Sequence, residues 1–185
     1  MRKITICNGK GGSGKTTTTI LLGLALAEAG HTACVIDTDP QNTAARWIED
    51  GMLPLADMEN AATLLFDTPP RLDDAKLKIH IKESDTVIVV SSPSPADLFT
   101  SQDTAKLIEN LGATKKTRLL FTQVQEGTIL SRGLEETAER IGLKSLKNIL
   151  TRRQCYQHAV LLGWSGLPNK AKEEVLKVAL EIISL

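Results

Sequence analysis

The chain has 185 residues, in which 22 Lys and Arg balance 22 Asp and Glu and 42% of positions are hydrophobic. That length suits one ordinary domain with its own core, and the composition excludes an intrinsically disordered chain. No apolar run approaches the ~20 residues of a membrane span. The opening Met1-Arg2-Lys3-Ile4-Thr5-Ile6 leads straight into a strand, without a signal-peptide core or cleavage site. A soluble, cytoplasmic protein is expected. Cys7, Cys34 and Cys155 make no CxxC pair, and His31, His80 and His158 are scattered. Neither a disulfide framework nor a His/Cys metal site is expected, and Cys7 and Cys34 read as small hydrophobes in apolar strands.

In chain order, Ile4-Thr5-Ile6-Cys7 reads as a buried strand, followed by a glycine-rich turn and a long helix over 16–29 that stops at Gly30. A strand over 32–36 and a helix over 43–49 follow. Next come a short strand over 63–66, a helix over 73–83 after a double proline, and the valine-rich strand over 86–90. The pattern then predicts a helix over 96–111, a strand over 118–121, a helix over 131–141 and a short strand over 146–150. A short helix over 156–162 and a terminal helix over 169–183 complete the series. Strands that are apolar throughout, alternating with helices, imply a mostly parallel, twisted sheet covered on both faces. No linker, repeat or low-complexity tract divides the chain, so residues 1–185 are expected to form a single α/β domain.

The stretch from Gly9 to Thr16 contains the pattern GxxxxGK[ST] between a strand and a helix. In that context Gly11, Gly12, Ser13 and Gly14 can curl the backbone so that successive amides point at phosphate oxygens. The helix adds its positive N-terminal end, Lys15 can reach the β- and γ-phosphates, and the Thr16 hydroxyl can ligate Mg²⁺. Two further strands end in acids, at Asp37-Thr38-Asp39-Pro40-Gln41 and at Asp67-Thr68-Pro69-Pro70. Ligands in open parallel sheets bind beyond the carboxyl ends of the strands. Asp39 and Asp67 therefore belong at the rim of the phosphate loop, where a carboxylate can hold Mg²⁺ directly or through water. A strand-ending Asp is also a common turn former or helix cap, a role open to Asp37 above all. Lys10 is the oddity: it lies five residues before Lys15, where an ordinary phosphate loop needs no cation. It reads either as a solvated loop lysine or as a group that points outward toward nucleotide on a second subunit.

The run Lys10-Gly11-Gly12-Ser13-Gly14-Lys15-Thr16-Thr17 resembles the deviant Walker A motif of the ParA/MinD ATPases. Asn8 and the two acid-ending strands match that family as well. The runs from Val89 to Pro95 and from Leu150 to Tyr156 look most like small plasmid-partition ParA proteins. The resemblance implies an ATPase that cycles between ATP and ADP with Mg²⁺ and forms a nucleotide sandwich homodimer with ATP bound. By that resemblance Lys10 reaches the partner's phosphates, Lys15 is the loop lysine, Thr16 a Mg²⁺ ligand and Thr17 a further phosphate contact. Asp39 positions the attacking water and stands beside the metal, and Asp67 holds Mg²⁺ through water. It further implies non-specific DNA binding by the dimer. Slow hydrolysis, stimulated by a small ParB-like or cargo-adaptor protein, then releases a nucleoid-associated form back to the cytoplasm.

From Arg140 to Lys172 the chain has seven basic residues and no acid, against 15 basic and 22 acidic elsewhere. Such a segment can present a local cationic patch to duplex DNA, doubled in a symmetric dimer, with Arg152, Arg153, Lys170 and Lys172 as candidate contacts. Only 27 residues separate Pro40 from Asp67. A strand at Leu53-Pro54-Leu55 fits there, but the helix that small ParA relatives usually add does not. No N-terminal helix-turn-helix extension precedes the loop, so sequence-specific operator binding is not expected. The last helix has an apolar stripe with three Glu and no aromatic, which reads as a packing face rather than a membrane anchor. The lack of CxxC pairs, of a recognisable substrate pocket and of a tyrosine cluster argues against iron–sulfur carriers, dethiobiotin synthetase-like enzymes and tyrosine kinases. A nucleotide-gated binding module with negligible hydrolysis stays open as an alternative.

Overall fold

A computed structural model describes residues 1–49 and 57–185. Its elements are β1 (Arg2–Cys7), α1 (Lys15–Glu28), β2 (Ala33–Asp37), α2 (Thr43–Glu49), β3 (Thr63–Asp67), α3 (Ala75–Glu83), β4 (Thr86–Ser91) and α4 (Pro95–Asn110). They continue with β5 (Thr117–Phe121), α5 (Ile129–Arg132), α6 (Leu134–Ile141), α7 (Cys155–Leu162) and α8 (Asn169–Ile183). The five strands are all parallel, in the order β2-β3-β1-β4-β5. The expected strand at residues 53–55 lies outside the described residues.

Strand alternation explains the two-sided core. Ile88 and Val90 point to one face of β4, while Val87 and Val89 point to the other. The first face joins Ile4, Ile6 and Leu120 to Leu21 and Leu24 of α1, Tyr156 of α7 and Val175, Val178 and Ile182 of α8. The second joins Cys7, Leu119 and Phe121 to Leu77 and Ile81 of α3, Ile108 of α4 and Ile141 of α6. The apolar stripe of α8 is therefore buried against the body of the protein. Because α1 is roofed by α7 and α8 on its outer side, it is apolar nearly all round, as a buried helix must be.

Two predicted elements take a different form. The helix expected over 131–141 is split at Gly133 into α5 and α6, with Thr128 capping the Ser131 amide and Gly133 starting the second piece. The strand expected over 146–150 is an irregular edge segment, flanked by two isolated parallel bridges, Ser145 with Leu119 of β5 and Thr151 with Val124 just beyond it. Leu146 and Leu150 donate to Leu119 and Phe121 as strand residues would. The consecutive amides of Lys147 and Asn148, however, both turn to the Glu181 carboxylate of α8 at 2.7 and 2.9 Å. That breaks the alternation a regular ladder needs.

Candidate nucleotide site

The glycine-rich loop leaves the central strand and is anchored from below. Asn8 is fully buried; its amide donates to the Val90 carbonyl at 2.7 Å and the Ser101 hydroxyl at 3.2 Å, and its oxygen accepts the Lys10 amide at 3.0 Å. One side chain thus ties the loop to β4 and α4. Gly12 and Gly14 turn with φ of 75° and 92°, a region that side chains with a Cβ rarely adopt. Helix α1 then starts with no side-chain cap and no acid in its first turn, so its positive end is left for an anion.

Lys15 is only 6% exposed, and its ammonium donates to the Lys10 carbonyl at 2.9 Å. Burial pulls its pKa down, and the charges of Asp67, Cys7 and Asp39 only partly offset this. The same burial pushes the neighbouring Cys7 thiol up to about 12, so it is an inert core group. Among the described residues, Ser13 has the one buried side-chain oxygen without a hydrogen-bond partner, and it lies inside this loop. Buried polar atoms in native proteins are nearly always paired, so the loop's geometry fits an oxygen-rich ligand.

Strand register brings the acids to the same rim. Asp37 pairs with Asp67, and Asp67 pairs with Ile6 of the central strand. Asp67 is 1% exposed, and the Thr19 hydroxyl is 3.4 Å from its Oδ1. Burial pushes its carboxyl up to about 6; the nearby Thr16 hydroxyl pulls the other way, while Asp37 and Asp39 push it higher still. Asp37 accepts from the amides of Asp39 at 2.9 Å and Ala45 at 3.0 Å, so it acts as the turn former and cap of α2. Asp39 is half-buried and accepts the Gln41 amide with one oxygen.

No group of three or more His, Cys, Asp or Glu among the described residues could enclose a metal alone. Mg²⁺ needs no such cage, because it keeps several waters and takes phosphate oxygens. The Thr16 hydroxyl beside a buried, crowded Asp67 fits it: a dication would favour the ionised carboxylate that burial opposes. When bound, the ion neutralises charge on the phosphate oxygens.

Two hollows open beside the loop. A cavity of about 410 Å³ runs between Gly12, Gly14, Thr17 and Leu21 on one side and Leu150 to Gln154, Tyr156 and Gln157 on the other. Of this lining the sequence marked Gly12, Gly14 and Thr17 for phosphate and Arg152 and Arg153 as basic candidates, the last two within the family-like run from Leu150 to Tyr156; Thr122 and Gln123 come from a distant segment without a motif. Gln123, two residues past the end of β5, also lines it; its φ of 54° is unusual for a residue with a Cβ, and its side-chain amide lies 3.4 Å from the Gly12 carbonyl. The second hollow, about 330 Å³, is lined by Lys10, Asp97, Thr128, Leu130 and Arg152 among others. Here the Lys10 ammonium pairs with Asp97, a carboxylate 6% exposed that also accepts the Ser92 amide. Burial pushes Asp97 up, but the hydrogen bonds from Lys10 and Ser92 outweigh it and hold the carboxyl below its usual range.

The four basic candidates scatter. Arg152 lines both hollows at the nucleotide rim. Arg153 is paired with Glu174 at 3.1 Å. Lys170 is exposed at the start of α8, and the Lys172 ammonium lies 6.0 Å from the Trp164 ring centre.

Residues 4–163 match the model of the CobQ/CobB/MinD/ParA nucleotide binding domain. The chain is 27% identical to the maintenance of carboxysome distribution protein A of Halothiobacillus neapolitanus, over 97% of this chain and 95% of that protein. The fold is shared with a Cyanothece McdA variant in complex with ATP (TM-score 0.76, 16% identity, 100% of this chain and 97% of that one). It is equally shared with the cell division protein MinD of Aquifex aeolicus (TM-score 0.74, 16% identity, 100% and 98%). These matches extend beyond plasmid-partition proteins, so the finer likeness to that branch does not set this chain apart. With a matched family model spanning most of its length and a deviant Walker A loop built on the central strand, the chain belongs to the CobQ/CobB/MinD/ParA family and is a P-loop ATPase.

Proposed function

We propose that this ATPase positions a cargo: it dimerises with ATP and Mg²⁺, binds DNA without sequence preference in that state, and is released when a partner stimulates hydrolysis. Lys10 carries the reading. Its side chain is 40% exposed, and its ammonium rests against Asp97, whereas that of Lys15 is buried and bonded to a loop carbonyl. From there it can meet phosphate presented by a second copy. In this scheme Lys15 and Thr17 hold phosphate, Thr16 and Asp67 hold the metal, and Asp39 orients the attacking water beside it. The relative named for carboxysome distribution supports a cargo role. The cargo class is a plasmid, a chromosome region or a protein compartment, recognised through a small ParB-like or adaptor protein. The protein is cytoplasmic in this reading and nucleoid-associated when ATP is bound.

Binding to random-sequence duplex DNA with ATP·Mg²⁺ or ADP, over a salt series, tests the proposal. Lys170 and Lys172 are the cations expected to meet DNA phosphate, because Arg153 already has an internal partner and Arg152 lines the nucleotide rim. Tight binding only with ATP is expected, with log affinity falling against log salt at about −0.9 per phosphate neutralised. A Lys170→Ala/Lys172→Ala double variant is expected to flatten that slope. Absence of binding in both nucleotide states would favour a protein-partnered switch of the MinD kind. Lys10→Ala is expected to keep ATP affinity within about threefold while losing the ATP-dependent dimer. Light scattering that still shows ATP-dependent dimers of that variant would rule out the cross-subunit role.

A further inference from the structure

We propose that Glu174, which lies outside the 410 Å³ cavity, is the positioning residue for its nucleoside half. The inference rests on the reading that nucleotide fills this cavity with its phosphates in the glycine-rich loop. The two walls of the cavity are built very differently. Gly12, Gly14, Thr17 and Leu21 belong to the loop and to the buried helix α1, which the core holds. The facing wall is residues 150–157, which leave the edge of the sheet at the Thr151 bridge and run without regular structure into α7. Its backbone bonds to β5 and the residues just beyond it are confined to the first three residues: Leu150 donates to Phe121, Val124 donates to Leu150, and Arg152 donates to Val124.

Leu150 and Tyr156 also pack into the core, and one carboxylate gathers the wall's side-chain hydrogen bonds. Glu174, on α8 and 15% exposed, accepts from the Thr151 amide and from the Thr151 hydroxyl at 3.0 Å. It also accepts from the Arg153 guanidinium at 3.1 Å and from the Tyr156 hydroxyl at 2.7 Å. Thr151, Arg153 and Tyr156 all line the cavity. Charge-assisted bonds from several donors to one largely buried acceptor fix a loop far more firmly than neutral bonds at the surface. Removing the acceptor leaves those donors unpaired and frees the wall, while Lys15 and the phosphate loop, attached to β1, β4 and α4, keep their supports. Glu174 therefore governs binding of the nucleoside and not of the polyphosphate.

Calorimetric titration of the whole chain with Mg·ATP and with Mg·tripolyphosphate separates the two halves. Glu174→Ala is expected to weaken ATP on the order of 30-fold and to change tripolyphosphate by less than about twofold. Glu174→Gln, which keeps one acceptor oxygen, is expected to recover most of the loss. Tyr156→Phe removes one bond and keeps the packed ring, so it stays testable if Glu174→Ala does not fold. It is expected to weaken ATP about threefold with tripolyphosphate unchanged. ATP and tripolyphosphate weakening together, or unchanged ATP affinity in Glu174→Ala and Tyr156→Phe, would overturn the proposal. A wild-type protein that binds tripolyphosphate but not ATP would instead overturn the nucleotide reading of the cavity, and this proposal with it.

Discussion

Lys15→Ala is expected to lower Mg·ATP affinity by at least about 100-fold while leaving the ligand-free protein's melting temperature nearly unchanged. The size follows from where the ammonium sits. It is buried inside the loop, with a loop carbonyl as its hydrogen-bond partner, and burial already disfavours its charge. Triphosphate placed in the loop meets a desolvated cation at short range, where one charge-assisted hydrogen bond is worth about 1.5–3 kcal/mol. Two such bonds to β- and γ-oxygens account for the expected loss. The apo protein gains little from this lysine, because the cost of its burial opposes the attraction of Asp67 and Asp39. Isothermal titration beside a thermal melt checks both halves, and near-normal ATP affinity would refute the phosphate-loop assignment.

Asp67→Asn is expected to stabilise the ligand-free protein while impairing the same function. Burial raises the folded carboxyl from its ordinary 3.8 to about 6. A raised acid adds stability that is fully present below pH 3.8 and is lost as pH rises through about 6. Above that range the ligand-free protein holds a buried charge that costs roughly 3 kcal/mol. The neutral amide avoids this cost, so the variant should melt several degrees higher at pH 7.5, with the gain vanishing near pH 4. It should also lose Mg²⁺-dependent ATP binding, because an amide cannot replace the anion beside Thr16. Melting curves from pH 4 to 8 test the first effect and Mg²⁺ titrations the second. A variant less stable than wild type at pH 7.5 would show that the charge at Asp67 is already well compensated without a metal. In the proposed scheme the same residue is a stability cost in the apo protein and a metal-holding group in the loaded one, a common feature of functional sites.

Periodicity and turn residues placed the five strands to within about two residues at each end, and α2 and α8 with the same ends, because these elements bury full apolar runs. The phosphate loop was legible for a local reason: strand, glycines, Lys15, Thr16 and helix are contiguous, and their spacing alone sets the cradle. Failures came where contacts between distant segments outweighed local preference. Gly133 splits a helical pattern that reads as continuous, and Glu181 takes two consecutive amides of the expected strand over 146–150.

The basic segment shows the same limit. As a linear charge count it reads as one patch, yet Arg153 is turned inward to Glu174 and Arg152 to the nucleotide rim. The partner of a long charged side chain is decided by which helix packs beside it. Asp37 and Asp67 end strands in the same way in the sequence; only the register, with β3 next to the central strand and β2 at the edge, buries Asp67 and leaves Asp37 to cap a turn. By itself, then, the sequence determined the parallel α/β layout, the phosphate loop and the acids of its rim, since those depend on neighbours in the chain. Tertiary structure alone decided which acid is buried, that Lys10 rests on Asp97, and that a glutamate of the last helix holds the cavity's far wall. Those depend on groups that are far apart in sequence, and only the closing of the sheet brings them within hydrogen-bonding distance.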